Sequence, residues 1–246
     1  MSGSRGDAVM FVHGVGSTAA IWDYQLDALS DEYRCFAVEL RGNGIPKPEP
    51  DPSEITRDGY VDDVLAVGDA ASAERFHFVG CSLGGVVGFE LWKRAPQRIR
   101  SLTFVGSFAC YPDAQNYVDN VIAAVEAAGT MEHFAFERAQ RLGLPPGKRT
   151  AETIAQMGCK IVPSYIAATH ATWTGDYRDL APGISVPTLV ICGERDTVAP
   201  PPFSQEIAGV IPGARLEVLA GAGHVANADA PDRFNDLLRA FLHDPN

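Results

Sequence analysis

Positive charge is scarce in this chain: 20 lysines and arginines stand against 31 aspartates and glutamates, for a formal net charge of -11 over 246 residues. Nucleic acids and anionic membranes need a concentrated positive surface on their partners, so neither is expected here. No run of apolar residues reaches the length of a membrane-spanning helix. Met1 to Met10 lacks a basic start followed by an apolar stretch, so no signal peptide is expected. The five cysteines, Cys35, Cys81, Cys110, Cys159 and Cys192, are odd in number, scattered and free of C-x-x-C spacing. That pattern argues against a disulfide framework or a zinc site and fits reduced thiols in a cytoplasm. Internal repeats and low-complexity tracts are also missing. What is present, 46% hydrophobic and 21% charged residues, suffices to bury a large core in one compact domain.

The apolar residues alternate between strand-like and helix-like spacing. Ala8 to Val12 is a short apolar run ending in His13-Gly14-Val15-Gly16-Ser17, and Ala20 to Leu29 then places Ile21, Trp22, Leu26 and Leu29 on one helix face. Arg34 to Leu40 reads as a strand, Arg41 to Pro52 as a loop rich in glycine and proline, and Thr56 to Ser72 as a helix. Phe76 to Val79, Ser101 to Gly106, Pro187 to Cys192 and Arg215 to Leu219 are further strands. Near-continuous apolar strands separated by helices imply an α/β fold with a mostly parallel sheet covered on both faces. The segment from about 107 to 183 breaks this rhythm with helical spacing alone, which predicts a helical cap inserted between core segments 8–106 and 184–243.

The chemistry gathers at predicted strand ends. Gly80-Cys81-Ser82-Leu83-Gly84 is a G-x-S-x-G pentapeptide between an apolar run and a helix-compatible one. A strand turning sharply into a helix at a serine exposes its hydroxyl and aims helix N–H groups at whatever it attacks. Ser82 is therefore the candidate nucleophile. A serine needs a base, and the base needs a carboxylate to fix its tautomer. His224 follows the last predicted strand and Asp196 the one before it, which puts both at the carboxyl edge where ligands collect in open parallel sheets. For the oxyanion, the amides of Leu83 and Val15 are the expected donors. His13 is expected to shape its loop rather than act as base.

These residues, in the order Ser82, Asp196, His224, with the His-Gly-Val-Gly loop ahead of them, resemble the α/β-hydrolase superfamily over Ala8 to Leu242. Val186 to Asp196, Ile211-Pro212-Gly213-Ala214-Arg215 and His224-Val225-Ala226-Asn227 are similar to the 3-oxoadipate enol-lactonase branch of small esterases and lactonases. So are the stretches around Ala124-Val125-Glu126 and Ser164-Tyr165-Ile166. The resemblance implies a sheet without the usual first two edge strands, since only seven residues precede the first strand. Asn43 in Arg41-Gly42-Asn43-Gly44 replaces the family's usual histidine. His13-Gly14 also departs from the Ser-Asn-Ser-Leu-Gly form common in enol-lactonases.

The implied activity is hydrolysis of a small-molecule ester or enol-lactone through an acyl-serine, with no metal or organic cofactor. Carbon–carbon bond hydrolysis, hydroxynitrile lysis and non-catalytic ligand reception are alternatives on the same fold. Tyr111, Phe134, Tyr165, His170 and Trp173 are candidates to line the substrate pocket, with ordinary packing as the competing explanation. Trp22 is a candidate pocket wall on the same terms. Arg138, with Arg141 and Lys160, is a candidate to bind a substrate carboxylate, solvated surface being the alternative. Oligomeric state is not fixed by the sequence.

Overall fold

A computed structural model describes residues 1–43, 50–142, 144 and 146–244, so the Ile45-Pro46-Lys47-Pro48 stretch lies outside the described residues. Six strands form one sheet: β1 (Ala8–Val12), β2 (Arg34–Val38), β3 (Phe76–Cys81), β4 (Ile99–Val105), β5 (Thr188–Gly193) and β6 (Arg215–Leu219). Their order is β2-β1-β3-β4-β5-β6, and every pairing is parallel. On the β2 edge the described residues add an isolated antiparallel bridge between Ser2 and Cys35. The direction of winding reverses between β1 and β3, which makes the loops after those two strands the walls of a crevice at the carboxyl edge.

Between the strands run α1 (Asp23–Leu29), α2 (Arg57–Ala70), α3 (Leu83–Arg94), α4 (Ala114–Ala128), α5 (Met131–Arg141), α6 (Lys148–Gly158), α7 (Val162–Trp173), α8 (Pro201–Val210), α9 (Ala226–Asp229) and α10 (Pro231–His243). The period-two alternation of the strands sorts the core into two layers. Met10, Val12, Phe78, Phe104 and Val190 pack with residues of α2, α3 and α8. Val9, Phe11, Val79, Val105 and Ile191 pack with Leu29 of α1 and Phe234, Leu238 and Phe241 of α10. The expected helix over Ala20–Leu29 is split into a 3-10 turn at Ala19–Trp22 and α1.

Four helices, α4 to α7, occupy the interval between β4 and β5 and form a cap. Its two ends are tied together where Cys110 bridges Asp176 and the Tyr177 N–H donates to Ala109 O at 2.8 Å. No helix among the described residues is long and apolar enough to cross a membrane.

Candidate active site

The G-x-S-x-G pentapeptide spans the join of β3 and α3 with no intervening loop. Ser82 has φ 53° and ψ -111°, a conformation that costs a non-glycine residue roughly 1–3 kcal/mol and survives only where its surroundings fix it. They do so here through the backbone. Ser82 N–H donates to Val105 O at 2.9 Å, while Ser82 O accepts from Gly85 N–H at 2.8 Å and from Ser107 Oγ–H at 3.1 Å. The motif glycines permit the close approach. A methyl built on Gly80 would lie 2.2 Å from Gly84 O, and one on Gly84 would lie 2.2 Å from Val12 O. Leu83 opens α3, so its N–H has no acceptor within the helix. Ser82 is only 2% exposed beneath the cap. Its neighbour Cys81 is a buried spectator whose thiol pKa burial pushes up to about 12.

Asp196 and His224 meet across the tip of β4. Asp196 is buried, and its Oδ1 accepts from the N–H groups of Val198 at 2.8 Å and Ala199 at 2.9 Å. Its Oδ2 lies 2.8 Å from His224 Nδ1. A carboxylate oxygen accepts, so this contact assigns the proton to Nδ1 and leaves a lone pair on Nε2. A methyl built on Gly106, the residue after Val105, would lie 2.8 Å from His224 O and 3.1 Å from Asp196 Oδ2. The pair therefore packs directly against the strand end that also receives the Ser82 N–H. The histidine loop is held by Gly223 N–H donating to Asp229 Oδ2 at 2.8 Å, and by fully buried Asn227, whose Nδ2 donates to Ile21 O at 2.7 Å.

The loop after β1 lies alongside the serine. A methyl on Gly14 would come within 3.3 Å of Ser82 Cβ and 3.9 Å of its Oγ. His13, fully buried, spans the loop base: Nδ1 faces Gly14 O at 2.8 Å, and Nε2 accepts from Leu40 N–H at 3.2 Å beside the Glu39 carboxylate. Ser17 N–H donates to Gly14 O at 3.2 Å and Gly16 N–H to Asn43 Oδ1 at 3.1 Å. The Val15 N–H has no protein acceptor among the described residues.

The cap brings some of the remaining sequence candidates together. Tyr111 packs against Trp173, Tyr117 and Phe108, with ring centroids 4.6, 4.8 and 5.2 Å apart. Phe134 meets Tyr165 at 5.5 Å, and the Tyr165 ring reaches to 3.1 Å from a methyl built on Gly16. Arg138, half-buried on α5, hydrogen-bonds Tyr117 and faces the phenols of Tyr165 and Tyr111, with no carboxylate partner among the described residues. Arg141 instead lies over the Phe134 ring. His170 sits half-buried in the last turn of α7, its carbonyl accepting from Thr174 Oγ1 at 2.8 Å.

Two assignments are corrected. Trp22 forms no pocket wall: it is fully buried in the layer below the sheet, with ring centroids 5.2 Å from Phe11 and 6.2 Å from Phe234, on the face it shares with Ile21, Leu26 and Leu29. Lys160 is neither a solvated surface residue nor a free cation for a substrate carboxylate; it is 6% exposed and donates to Ser17 O at 3.0 Å and to Asn43 O. Asn43, 1% exposed, serves the loop beside Ser82, its Oδ1 accepting the Gly16 N–H. A buried amide two residues after an arginine carried no sequence signal of that role. Among the described residues no group of three or more histidine, cysteine, aspartate or glutamate side chains is gathered to hold a metal ion.

Residues 9–237 match the family model described as "Alpha/beta hydrolase family". The protein named "Putative carbamate hydrolase RutD" of Azorhizobium caulinodans is 30% identical over 248 residues, covering 96% of this chain and 91% of its own. Among solved structures, a hydrolase from Pseudomonas aeruginosa PA01 superimposes with a TM-score of 0.88 at 32% identity, over 98% of this chain and 92% of its own. The enol-lactonase from Burkholderia xenovorans LB400 does so with a TM-score of 0.85 at 27% identity, over 99% and 95%. With an elbow serine, an aspartate–histidine pair and an amide-bearing loop on one sheet edge, this chain belongs to the alpha/beta hydrolase family.

Proposed function

We propose that the protein is a serine hydrolase that cleaves a small carboxylic ester or enol-lactone through a Ser82–His224–Asp196 triad. The observation that carries this reading is the strained Ser82 elbow seated on the same strand tip as the 2.8 Å Asp196–His224 pair. His224 Nε2 takes the hydroxyl proton as Oγ adds to the carbonyl carbon, and Asp196 stabilises the imidazolium. The oxyanion is received by the N–H groups of Leu83 and Val15, the first unpaired because it opens a helix and the second because its loop neighbours are engaged elsewhere. Collapse of the tetrahedral adduct returns the proton to the leaving alkoxide or enolate and leaves an acyl-serine. Water, deprotonated by His224, then releases the acid and restores Ser82. The proton transfers use protein groups and water throughout.

Arg138 is the proposed anchor for a carboxylate on the acyl group. It is a cap guanidinium framed by phenols and without an acidic partner among the described residues, so a substrate carboxylate would complete its pairing. Tyr111, Tyr165, Phe134 and Trp173 supply the apolar wall of the same pocket, and His170 is the remaining candidate contact. Five free thiols fit a cytoplasmic setting. The test is turnover of p-nitrophenyl butyrate, 3-oxoadipate enol-lactone and a phenyl carbamate by wild type and Ser82→Ala. Serine-dependent turnover, with the lactone fastest, is expected. Carbamate as the fastest substrate would move the activity toward that of the curated relative's name. Equal rates for wild type and Ser82→Ala would sink the triad.

A further inference from the structure

Four side chains from the C-terminal end of α6 and the start of α7 reach the loop after β1. Gln156 Oε1 accepts from Ser17 Oγ–H at 3.3 Å, and Met157 and Tyr165 close over Gly16. Lys160 then turns inward past the end of α6, donating to Ser17 O at 3.0 Å and to Asn43 O. Its ammonium thus joins the loop after β1 to the loop after β2. Asn43 completes the join, because its Oδ1 accepts the Gly16 N–H while its Nδ2 donates to Tyr60 Oη and Arg41 O, both at 3.3 Å. The peptide after the one that carries the Val15 N–H is therefore held by a residue whose own carbonyl is held by the cap, while the Val15 peptide itself is braced by Ser17 N–H on Gly14 O.

A buried ammonium is costly unless its donors are used, and here two go to carbonyls beside the catalytic serine. Glu39 faces the same group from the end of β2, where it also accepts the Ala19 N–H at 3.0 Å. An apolar residue would fill the space at Lys160 but leave the Ser17 and Asn43 carbonyls without these donors.

We infer that Lys160 and Asn43 are positioning residues that make the Val15 oxyanion amide dependent on the seated cap, so that the oxyanion hole is complete only when the cap is closed. This rests on the serine-hydrolase reading above. With the cap lifted to admit substrate, Lys160 leaves and the loop after β1 loses its clamp. With the cap seated over a bound acyl group, the amide returns to the position it holds beside Ser82.

The experiment compares wild type, Lys160→Met, Lys160→Gln, Asn43→Ala and the Lys160→Met/Asn43→Ala double variant. Three readouts are taken: kcat and KM on p-nitrophenyl butyrate, inhibition by an aryl trifluoromethyl ketone, and inhibition by butyrate. The ketone forms a tetrahedral adduct whose oxyanion needs the Val15 amide; butyrate reports pocket binding alone. Loss of one oxyanion donor typically costs ~10²- to 10³-fold, so partial misplacement in Lys160→Met should lower kcat and ketone affinity together by about 10- to 100-fold. KM and butyrate inhibition should stay within about threefold. Lys160→Gln, which keeps an N–H donor, should recover part of the loss and answers the question if Lys160→Met does not fold. The double variant should be no worse than the worse single one, since both act on one amide. Ketone affinity unchanged in the lysine variants, or losses that simply multiply in the double variant, would overturn the inference. Labelling of wild type by a fluorophosphonate at Ser82 checks the underlying reading separately: without it both fall, whereas labelled enzyme with unchanged ketone affinity removes the inference alone.

Discussion

The sheet's carboxyl edge and the cap that covers it are built on different principles. At the edge, Ser82, Gly106, Asp196 and His224 follow four neighbouring strands; backbone hydrogen bonds hold the first three, and the Asp196 carboxylate holds the His224 ring. In the cap, α4 to α7 place Tyr111, Arg138, Lys160, Tyr165 and Trp173 by side-chain packing and single long reaches. A catalytic atom misplaced by an ångström loses rate, and under the proposed function each such atom is carried at or just past a strand end. Under the proposed function, the pocket wall is carried on helices held by side-chain contacts, which single substitutions can exchange. The prediction is a split: edge changes should abolish chemistry, and cap changes should alter selectivity.

The largest effect tests the edge itself. Ser82→Ala and Asp196→Asn should each reduce kcat by ~10⁴-fold or more with the fold intact, the second because the imidazole loses the acceptor that fixes its tautomer. Steady-state kinetics with circular dichroism controls checks this, and a loss under tenfold for either variant would place the triad elsewhere.

The opposite, amino edge of the sheet offers a contrast histidine. Burial pushes the His77 pKa down to about 4, with Nδ1 held 2.7 Å from Ser101 Oγ. The unfolded chain, with an ordinary histidine near 6.5, binds that proton first, so this contribution is complete above about pH 6.5 and is lost as pH falls toward 4. Its ceiling is about 3 kcal/mol. Chemical denaturation of wild type and His77→Gln between pH 7 and 4 should show a shallower loss in the variant, and parallel curves would remove His77 as the cause.

Within the cap, Arg138→Met should raise KM for the carboxylate-bearing lactone by about 10- to 100-fold, the worth of one charge-assisted contact, while butyrate ester kinetics stay nearly constant. Equal damage to both substrates would make Arg138 a packing residue. The smallest effect is expected at Arg149, which ties α6 to the histidine loop by pairing with Asp229 and by donating to Val225 O at 3.2 Å. Both partners are partly exposed, so Arg149→Gln should cost under about 1 kcal/mol and leave kcat within about threefold. A large loss there would show that the cap governs the histidine loop as well as the pocket.

How legible each region was follows from the same difference. The elbow could be read because five consecutive residues carry the whole turn, and the glycines that allow helix and strand to touch are inside the motif. Asp196 and His224 followed because parallel strands deliver their C-terminal residues to one edge, as β4, β5 and β6 do. For Trp22 the spacing that grouped it with Ile21, Leu26 and Leu29 held, and the packing explanation replaces the pocket wall, because nearness to the loop after β1 in sequence does not set which side of the sheet a ring enters. Neither reading of Lys160, substrate-carboxylate contact or solvated surface, could anticipate its reach to Ser17 O and Asn43 O, which joins positions more than a hundred residues apart.

Sequence alone determined the parallel α/β layering, the serine elbow, the order of Ser82, Asp196 and His224 along the sheet edge and the interval in which helices replace strands. Each of these is written in local periodicity or in short motifs whose backbone geometry is nearly obligatory. Only the tertiary structure decided the Asp196–His224 contact, the engagement of Gly16 by Asn43, the burial of Lys160 and the setting of Arg138 among phenols. Those depend on side chains meeting across long sequence separations, where direction and burial are set by packing and not by the neighbours in the chain.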